Sequence, residues 1–225
     1  MNDEENLGVE GFADRFEPEA RGDCQLYLIS PREVGGGFPD RLRTALGGGP
    51  VAAFQLRVKD VDQHALARLA EPLQRICADA DVAFIVNDDM SLAKRIGADG
   101  VHLGQKDGRV EDARALLGSA AQIGVTCHDS RHLAMAAGEA GADYVAFGAF
   151  HPTTTKPSDY RPDSSILGWW STLFTIPSVA IGGITPDNAR PLVEAGADFL
   201  AVCQAMWGAD DPAVPVARFA EVMKR

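Results

Sequence analysis

The chain alternates between short segments of continuous apolar residues and longer segments in which apolar residues recur every three or four positions. Short apolar runs are typical of parallel strands buried on both faces, and the longer spacing is typical of helices with one buried face. We predict one such helix over 62–79, where Leu66 and Leu69 begin an apolar face. The predicted strands are Gln25–Ile29, 52–57, 83–86, Gly100–Leu103, 122–126, 144–147, Ser178–Ile181 and Phe199–Val202.

A repeated phrase, Gly-Ala-Asp, stands between helix-like and strand-like segments at 97–99, 141–143 and 196–198. Glycine suits the left-handed backbone just past a helix end, so each phrase marks a helix stop followed by a strand. A further helix is predicted over 186–195, with Thr185 as its N-cap and a proline in its first turn. Eight alternating strand and helix units predict a single α/β domain, a closed (β/α)8 TIM barrel. An open doubly wound sheet is the alternative.

The negative charge of the chain is concentrated at its start. Residues 1–23 hold eight acidic residues and two arginines, more than half of the net charge of −11. They lack the basic start and apolar centre of a secretory signal, and we predict a disordered acidic tail followed by the catalytic barrel over 24–225. The mildly acidic remainder disfavours nucleic-acid binding, which requires clustered basic residues, although a small anionic ligand is still allowed.

The composition also disfavours a membrane-spanning segment and disulfide bonds. No apolar stretch approaches the roughly 18 residues needed to span a bilayer. The four cysteines are scattered in or beside apolar runs without a close pair, so we expect buried thiols and a cytoplasmic protein. The sequence leaves open whether copies of the chain assemble into a homo-oligomer.

Polar residues follow the second predicted strand in alternation. Gln55, Arg57 and Lys59 fall on one side of the chain, and Leu56 and Val58 fall on the other. In a barrel of this kind the ligand site lies at the carboxyl ends of the strands. Two cations and an amide that face this site need partners, which an anionic substrate supplies, so we favour a binding role over a solvated strand end.

Carboxylates follow the third and fourth predicted strands, which are neighbours in a barrel. Asp88 and Asp107 would lie side by side at the rim, where two carboxylates, waters and substrate oxygens suit Mg²⁺. The alternative is structural: Asp88 or Asp89 caps the helix that begins near Ser91, and Asp107 turns its loop. We expect one of the two neighbouring aspartates to be the cap.

The loop after the sixth predicted strand is suited to phosphate. It spans 148–156 and contains Thr153, Thr155 and Lys156, which offer hydroxyl donors and a positive charge to phosphoryl oxygens. The alternative is a turn in which the threonines serve only as local capping residues.

Two other strand ends could also contact a ligand. Thr126 ends the fifth strand and can reach the barrel mouth. His128 has two alternative roles, as a catalytic group or as a structural contact with a neighbouring loop. Gly182 and Gly183 precede the helix predicted from 186, and their backbone amides would form an anion site at its N-terminus.

Six short motifs, taken in order, resemble those of the thiamine-phosphate synthase family, also called thiamine-phosphate pyrophosphorylase. Each motif is weak alone, but six in the correct order, between about residues 26 and 207, are a strong signal. They are Gln55-x-Arg57-x-Lys59, Asn87-Asp88, His102-Leu103-Gly104-Gln105-x-Asp107, Gly141-Ala142-Asp143-Tyr144, Thr153-x-Thr155-Lys156 and Ile181-Gly182-Gly183-Ile184.

The resemblance implies a Mg²⁺-dependent transferase. It would join 4-amino-2-methyl-5-(diphosphooxymethyl)pyrimidine to a thiazole phosphate, release diphosphate and form thiamine phosphate. Arg57, Lys59 and Lys156 would act electrostatically, with no protein nucleophile, and Asp88 and Asp107 would hold the metal. The pyrimidine diphosphate would bind to Gln55, Arg57, Lys59, Asn87, Thr126 and Lys156. The thiazole phosphate would bind to Thr153, Thr155 and Gly183.

The chain departs from the family pattern at two positions. Thr126 stands where the family usually has serine, which keeps the hydroxyl group. The segment Val202-Cys203-Gln204 stands where the family often has Ile-Ser, whose serine helps to bind the thiazole phosphate. Gln204 either donates from its amide in place of that serine or leaves the contact missing.

Two other functions compete with the transferase. One is a thiazole tautomerase-like isomerase on the same fold, and the other is a barrel that senses thiamine phosphates without catalysis. An isomerase has no diphosphate to bind and needs no metal pair, so the joint presence of Lys59, Asp88, Asp107 and Lys156 favours the transferase.

Overall fold

The computed structural model describes residues 22–153 and 159–224. Most of the predicted acidic tail and the predicted site residues Thr155 and Lys156 lie outside the described residues. The strands are β1 Gln25–Ile29, β2 Ala53–Leu56, β3 Ala83–Asn87, β4 Gly100–Leu103, β5 Gln122–His128, β6 Tyr144–Gly148, β7 Ser178–Ile181 and β8 Phe199–Val202. The helices are α1 Phe38–Leu46, α2 Gln63–Asp79, α3 Met90–Ile96, α4 Val110–Leu117, α5 Arg131–Glu139, α6 Ser165–Leu173, α7 Arg190–Glu194, α8 Gln204–Trp207 and α9 Ala213–Val222.

Eight parallel strands close into a barrel in chain order. The first strand pairs with both the second and the last, so that Leu28 lies opposite Phe54 on one side and Val202 on the other. This closure confirms the predicted (β/α)8 TIM barrel and excludes the open sheet. All eight predicted strands are present, and where their bounds differ from the prediction they differ by one or two residues at an end.

The Gly-Ala-Asp repeat holds the amino-terminal end of the barrel together. Each of its aspartates accepts a hydrogen bond from a backbone amide at the start of the preceding strand. The bonds run from Phe84 to Asp99 at 2.7 Å, from Ile123 to Asp143 at 2.6 Å and from Ser178 to Asp198 at 2.8 Å. The three glycines have left-handed φ angles of 64°, 91° and 104°. The repeat therefore stops a helix, starts a strand and ties that strand to its neighbour.

The structure confirms one of the two predicted helices and corrects the start of the other. The helix predicted over 62–79 is α2, for which Asp62 is the N-cap. The helix predicted from 186 is wrong at its start, because α7 begins at Arg190. The side chain of Asn188 accepts a hydrogen bond from the Thr185 amide at 2.8 Å and donates to the Gly183 carbonyl at 3.0 Å, which holds this segment as a turn.

No helix within the described ranges has the length and apolar character needed to cross a membrane.

Side chains along each strand alternate between two apolar layers. The outer layer, between the barrel and the helices, contains the fully buried Phe54, Phe84 and Phe147. The inner layer fills the barrel itself and includes Tyr27 and Ile85. Because side chains occupy the barrel interior, the space for a ligand lies beyond them, at the carboxyl ends of the strands.

Candidate active site

A cavity of about 500 Å³ opens at the carboxyl ends of the strands. Its volume is in the range of small-molecule sites. Residues from the end of β1 to the start of α8 contribute to it, and barrel closure brings them to one place. Seven of the predicted site residues line the cavity: Gln55, Arg57, Asn87, Thr126, Thr153, Gly183 and Gln204.

The three polar residues predicted after the second strand, Gln55, Arg57 and Lys59, extend from the barrel interior to the rim. Gln55 is 3% exposed, and its Nε2 donates to the hydroxyl of Tyr27 at 3.0 Å. Arg57 lines the cavity just past the end of β2. Lys59 lies further out, where its Nζ is 3.8 Å from Oδ2 of Asp88. The alternation in the sequence therefore gives one buried amide, one cation at the cavity and one cation beside a carboxylate.

The adjacent carboxylates after β3 have different surroundings. Asp89 is the N-cap of α3, and its Oδ1 accepts a hydrogen bond from the Leu92 amide at 2.8 Å. Asp88 has a left-handed φ of 66°, and its amide donates to the His102 carbonyl at 2.8 Å, which ties the end of β3 to β4. One of the two aspartates is the cap, as predicted. Asp88 is thereby held at the rim with its carboxylate beside Lys59.

Asp107 lies in the turn that follows β4 and is exposed. Its Oδ2 accepts a hydrogen bond from the Gly104 amide at 3.1 Å, which is the turn-forming contact anticipated as the alternative. This bond uses only part of the acceptor capacity of a carboxylate. In the same turn, Nε2 of Gln105 donates to the Thr126 carbonyl at 2.6 Å and anchors the turn to β5.

The described residues contain no cluster of three or more His, Cys, Asp or Glu side chains that could hold a metal ion. A cation at the rim would therefore need oxygen ligands from water and substrate in addition to the two carboxylates. Mg²⁺ is commonly bound in this way, by one or two carboxylates together with substrate phosphates.

The other side of the cavity is formed by the loops after the last three strands. Gly183 has a left-handed φ of 62°, and a Cβ atom there would overlap the Pro152 carbonyl and crowd His151. In the described part of the chain, its amide has no hydrogen-bond acceptor. Thr153 comes directly after Pro152 in the loop that packs against Gly183. Gln204, on the same side of the cavity, is the first residue of α8. This side therefore combines a backbone amide, a hydroxyl and a side-chain amide.

Inside the barrel, a chain of hydrogen bonds connects two of the predicted site residues. From Gln55 it continues through the Tyr27 and Tyr144 hydroxyls, 2.9 Å apart, and then over 3.2 Å to Nδ1 of His102. Nε2 of His102 lies 2.8 Å from Oγ1 of Thr126. Sequence reasoning missed this chain, although polar residues at inward positions of apolar strands were a signal for it.

Burial keeps the two phenols of this chain protonated. It raises the pKa of Tyr27 to about 12, against the smaller lowering effect of its hydrogen bonds with Tyr144 and Gln55. Burial also raises the pKa of Tyr144 well above its ordinary value. Each hydroxyl therefore has one hydrogen to donate throughout the physiological pH range.

Gly124 leaves the space that the Tyr144 ring occupies. The two residues are opposite each other in the β5–β6 register, and a Cβ on Gly124 would overlap the ring and its hydroxyl. We expect Gly124→Ala to lower the free energy of unfolding by about 1–3 kcal/mol, because overpacking forces the ring to move. Urea denaturation measures this change.

Gly35→Ala is the matched control, because the added Cβ would make only an ordinary contact of 3.9 Å with Leu69. Its stability should stay within about 0.5 kcal/mol of the parent. Equal stabilities for the two variants would show that the barrel accommodates the extra methyl group at Gly124.

An aromatic pair lies at the edge of the cavity. His128 has a left-handed φ of 55° at a register shift of β5, and its ring stacks on Tyr160 with centroids 4.1 Å apart. Both residues line the cavity. The observed contact of His128 is thus with a neighbouring loop, one of the two roles anticipated for it. Tyr160 was not anticipated, because a single tyrosine in a loop gives no periodic signal.

Known proteins provide an independent comparison. Residues 26–206 match the family model described as thiamine monophosphate synthase. The thiamine-phosphate synthase of Erythrobacter litoralis is 65% identical over 201 residues, which cover 88% of this chain and 94% of the relative. The synthase of Rhodospirillum centenum is 53% identical, over 90% of this chain and 99% of the relative. Among solved structures, thiamine phosphate pyrophosphorylase from Pyrococcus furiosus has a TM-score of 0.80 and 30% identity, covering 90% of this chain and 96% of that chain.

Proposed function

This chain belongs to the thiamine monophosphate synthase family, and from that premise we propose how its cavity carries out the family reaction. The reaction transfers a pyrimidine-methyl group from diphosphate to the nitrogen of a thiazole phosphate. The relatives favour this transferase over the isomerase and the sensor, since they are named as synthases. The observation that carries the proposal is the convergence of seven predicted site residues on one cavity at the strand ends.

We assign the pyrimidine diphosphate to the side of the cavity formed by the second to fifth strands. Gln55 and Thr126 lie at the ends of the buried hydrogen-bond chain and offer an amide and a hydroxyl to the pyrimidine diphosphate. Arg57 and Asn87 line the cavity between them and would bind the diphosphate group. Lys59, at the rim, adds a second positive charge. Lys156, which lies outside the described residues, belongs to the same proposal through the family motif.

The thiazole phosphate is assigned to the opposite side. Gly183 offers a backbone amide at a left-handed position, an arrangement found in anion-binding backbone nests. Thr153 and Gln204 add a hydroxyl and a side-chain amide. Thr155 is included through the motif and lies outside the described residues. In this proposal Gln204 donates in place of the family's serine.

Asp88 and Asp107 suit Mg²⁺ by their chemistry and by their placement. Both offer carboxylate oxygens, the donors that Mg²⁺ prefers, and both follow neighbouring strands at the rim. Asp88 is fixed by its backbone bond to β4, and Asp107 by its turn. When bound there with the substrate, Mg²⁺ would neutralise charge on the diphosphate as it departs.

The protein's own contribution is positioning and electrostatic stabilisation. The bond between the pyrimidine methylene and the diphosphate oxygen breaks, and its electron pair leaves on the diphosphate. The lone pair of the thiazole nitrogen forms the new carbon–nitrogen bond. The amino group of the pyrimidine can delocalise positive charge, so we propose a dissociative step without a protein nucleophile. Arg57 and Lys59 stabilise the negative charge that develops on the diphosphate.

The test is a reconstituted reaction with the purified full chain, both substrates and Mg²⁺. We expect thiamine phosphate and diphosphate in equal amounts, with loss of activity on chelation and recovery when Mg²⁺ is added back. Activity that survives chelation would contradict the metal assignment. Absence of product under all conditions would contradict the synthase, and conversion of the thiazole phosphate alone would favour the isomerase.

A cytoplasmic location belongs to the same proposal. In the described part of the chain, which contains all four cysteines, no disulfide joins them. Three are buried, and burial raises the pKa of Cys77 and of Cys127 to about 12. The described residues assigned to the site all come from one chain, so the proposed reaction does not itself require a homo-oligomer.

A further inference from the structure

The hydrogen-bond chain inside the barrel has a direction that can be read from its donors. At one end, Nε2 of Gln55 faces the Tyr27 hydroxyl at 3.0 Å, and an amide nitrogen can only donate. The single hydrogen of Tyr27 is then directed to the Tyr144 oxygen, 2.9 Å away. The hydrogen of Tyr144 is directed in turn to Nδ1 of His102 at 3.2 Å. Nδ1 is therefore an acceptor.

A neutral imidazole that accepts at one nitrogen carries its proton on the other. The proton of His102 is then on Nε2, which donates to Oγ1 of Thr126 at 2.8 Å. Because Oγ1 accepts this bond, the hydroxyl hydrogen of Thr126 is left for an acceptor elsewhere. Thr126 lines the cavity, so that acceptor can be a ligand.

The reverse direction leaves a buried donor unsatisfied. If Thr126 donated to His102 and His102 to Tyr144, then Tyr144 would donate to Tyr27. The Tyr27 oxygen would accept two hydrogen bonds, one from Tyr144 and one from Gln55, and its own hydrogen would have no partner. Tyr27 is 3% exposed, where an unmade hydrogen bond is costly.

We propose that the chain Gln55–Tyr27–Tyr144–His102 holds His102 as the neutral tautomer protonated on Nε2, and so fixes the Thr126 hydroxyl as a hydrogen-bond donor toward the cavity. His102, which is 7% exposed, is in this view a positioning residue that acts through Thr126. The tautomer follows from the placement of the Gln55 amide nitrogen, not its oxygen, beside the Tyr27 hydroxyl. The benefit to an acceptor atom of the pyrimidine diphosphate rests on the proposed function.

The tautomer can be observed directly in the protein without substrates. Long-range ¹H–¹⁵N correlation spectra of the imidazole nitrogens distinguish protonated Nε2, protonated Nδ1 and the doubly protonated ring. The His102 signals are assigned by their disappearance in His102→Gln. We expect protonated Nε2 and bare Nδ1 at neutral pH. A proton on Nδ1, or on both nitrogens, would overturn the proposal.

Gln55→Glu tests whether the chain sets the tautomer. A carboxylate of the same shape can only accept, so Tyr27 would donate to it and every bond of the chain would reverse. We expect the proton of His102 to move from Nε2 to Nδ1 in this variant. If the parent shows Nε2–H and the folded variant shows it too, the relay from Gln55 is refuted. If the variant does not fold, the spectrum of the parent still decides the tautomer.

A kinetic comparison tests the action through Thr126. The side-chain amide of glutamine can place a nitrogen near the position of ring Nε2, whereas that of asparagine reaches only near Nδ1. We expect His102→Gln to retain most of kcat/KM for the pyrimidine diphosphate and His102→Asn to lose about tenfold, the size of one hydrogen bond to a charged ligand. The KM for the thiazole phosphate should change little in both.

The control for the two histidine substitutions is His132→Gln, at an exposed position on α5, which should behave as the parent. Equal losses in His102→Gln and His102→Asn would point to a structural role and contradict the action through Thr126. If the parent has no synthase activity, the proposed function fails, and the spectra still confirm or refute the tautomer independently.

Discussion

Asp88→Asn is expected to lower kcat by about a thousandfold while the barrel stays folded. The substitution removes the charge on which the proposed Mg²⁺ site depends but keeps the size of the side chain, and metal-ion stabilisation of a developing charge accounts for several kcal/mol. The backbone bond from Asp88 to β4 involves only main-chain atoms and should persist. Steady-state kinetics across a Mg²⁺ titration measure the loss, and circular dichroism checks the fold.

Asp89→Asn is the matched control, because it removes one negative charge from the neighbouring residue. The side-chain oxygen of asparagine can still accept the bond from the Leu92 amide, and Asn is a good N-cap. The substitution also removes the bond that Oδ2 of Asp89 accepts from Nε2 of Gln63, which does not line the cavity. We expect its kcat to stay within about twofold of the parent, because these contacts lie near the surface. Equal activity of the two variants would contradict the assignment of Asp88 to the proposed metal site.

Gly183→Ala is expected to lower kcat/KM for the thiazole phosphate by about a hundredfold. The added Cβ would overlap the Pro152 carbonyl, and relief of that overlap requires the loop that carries Thr153 to move. Displacement of a binding group by about 1 Å can cost two orders of magnitude in rate. Steady-state kinetics with the thiazole phosphate varied at saturating pyrimidine diphosphate measure the effect.

Gly97→Ala separates this overlap from backbone strain. Gly97 has a φ of 64°, close to that of Gly183, but nothing lies within 4 Å of its added Cβ. Both variants should lose similar stability from the left-handed backbone, whereas only Gly183→Ala should lose affinity for the thiazole phosphate. A normal KM in Gly183→Ala would contradict the placement of the phosphate beside Gly183.

Elements with a strong local signal could be predicted from the sequence. The strand Gly100–Leu103 has the predicted bounds because an apolar run begins directly after the Gly-Ala-Asp phrase at 97–99, whose glycine ends the helix before it. The start of α7 was missed because the side chain of Asn188 bonds to the backbone of Gly183 and Thr185, a competitor to the helix that residue type alone does not reveal. Local propensity decides an element only where no such contact competes with it.

The order and alternation of residues in the sequence determine the barrel and the set of side chains at its mouth. Gln55 and Arg57 follow from the period of two along a strand, and their meeting with Thr153 and Gly183 follows from barrel closure. The tertiary structure alone decided that Asp89 is the cap, that Asp88 lies beside Lys59, and that His102 connects Tyr144 to Thr126. Sequence periodicity fixes the face on which a side chain lies, whereas the partner it meets depends on the stagger between strands that are distant in the chain.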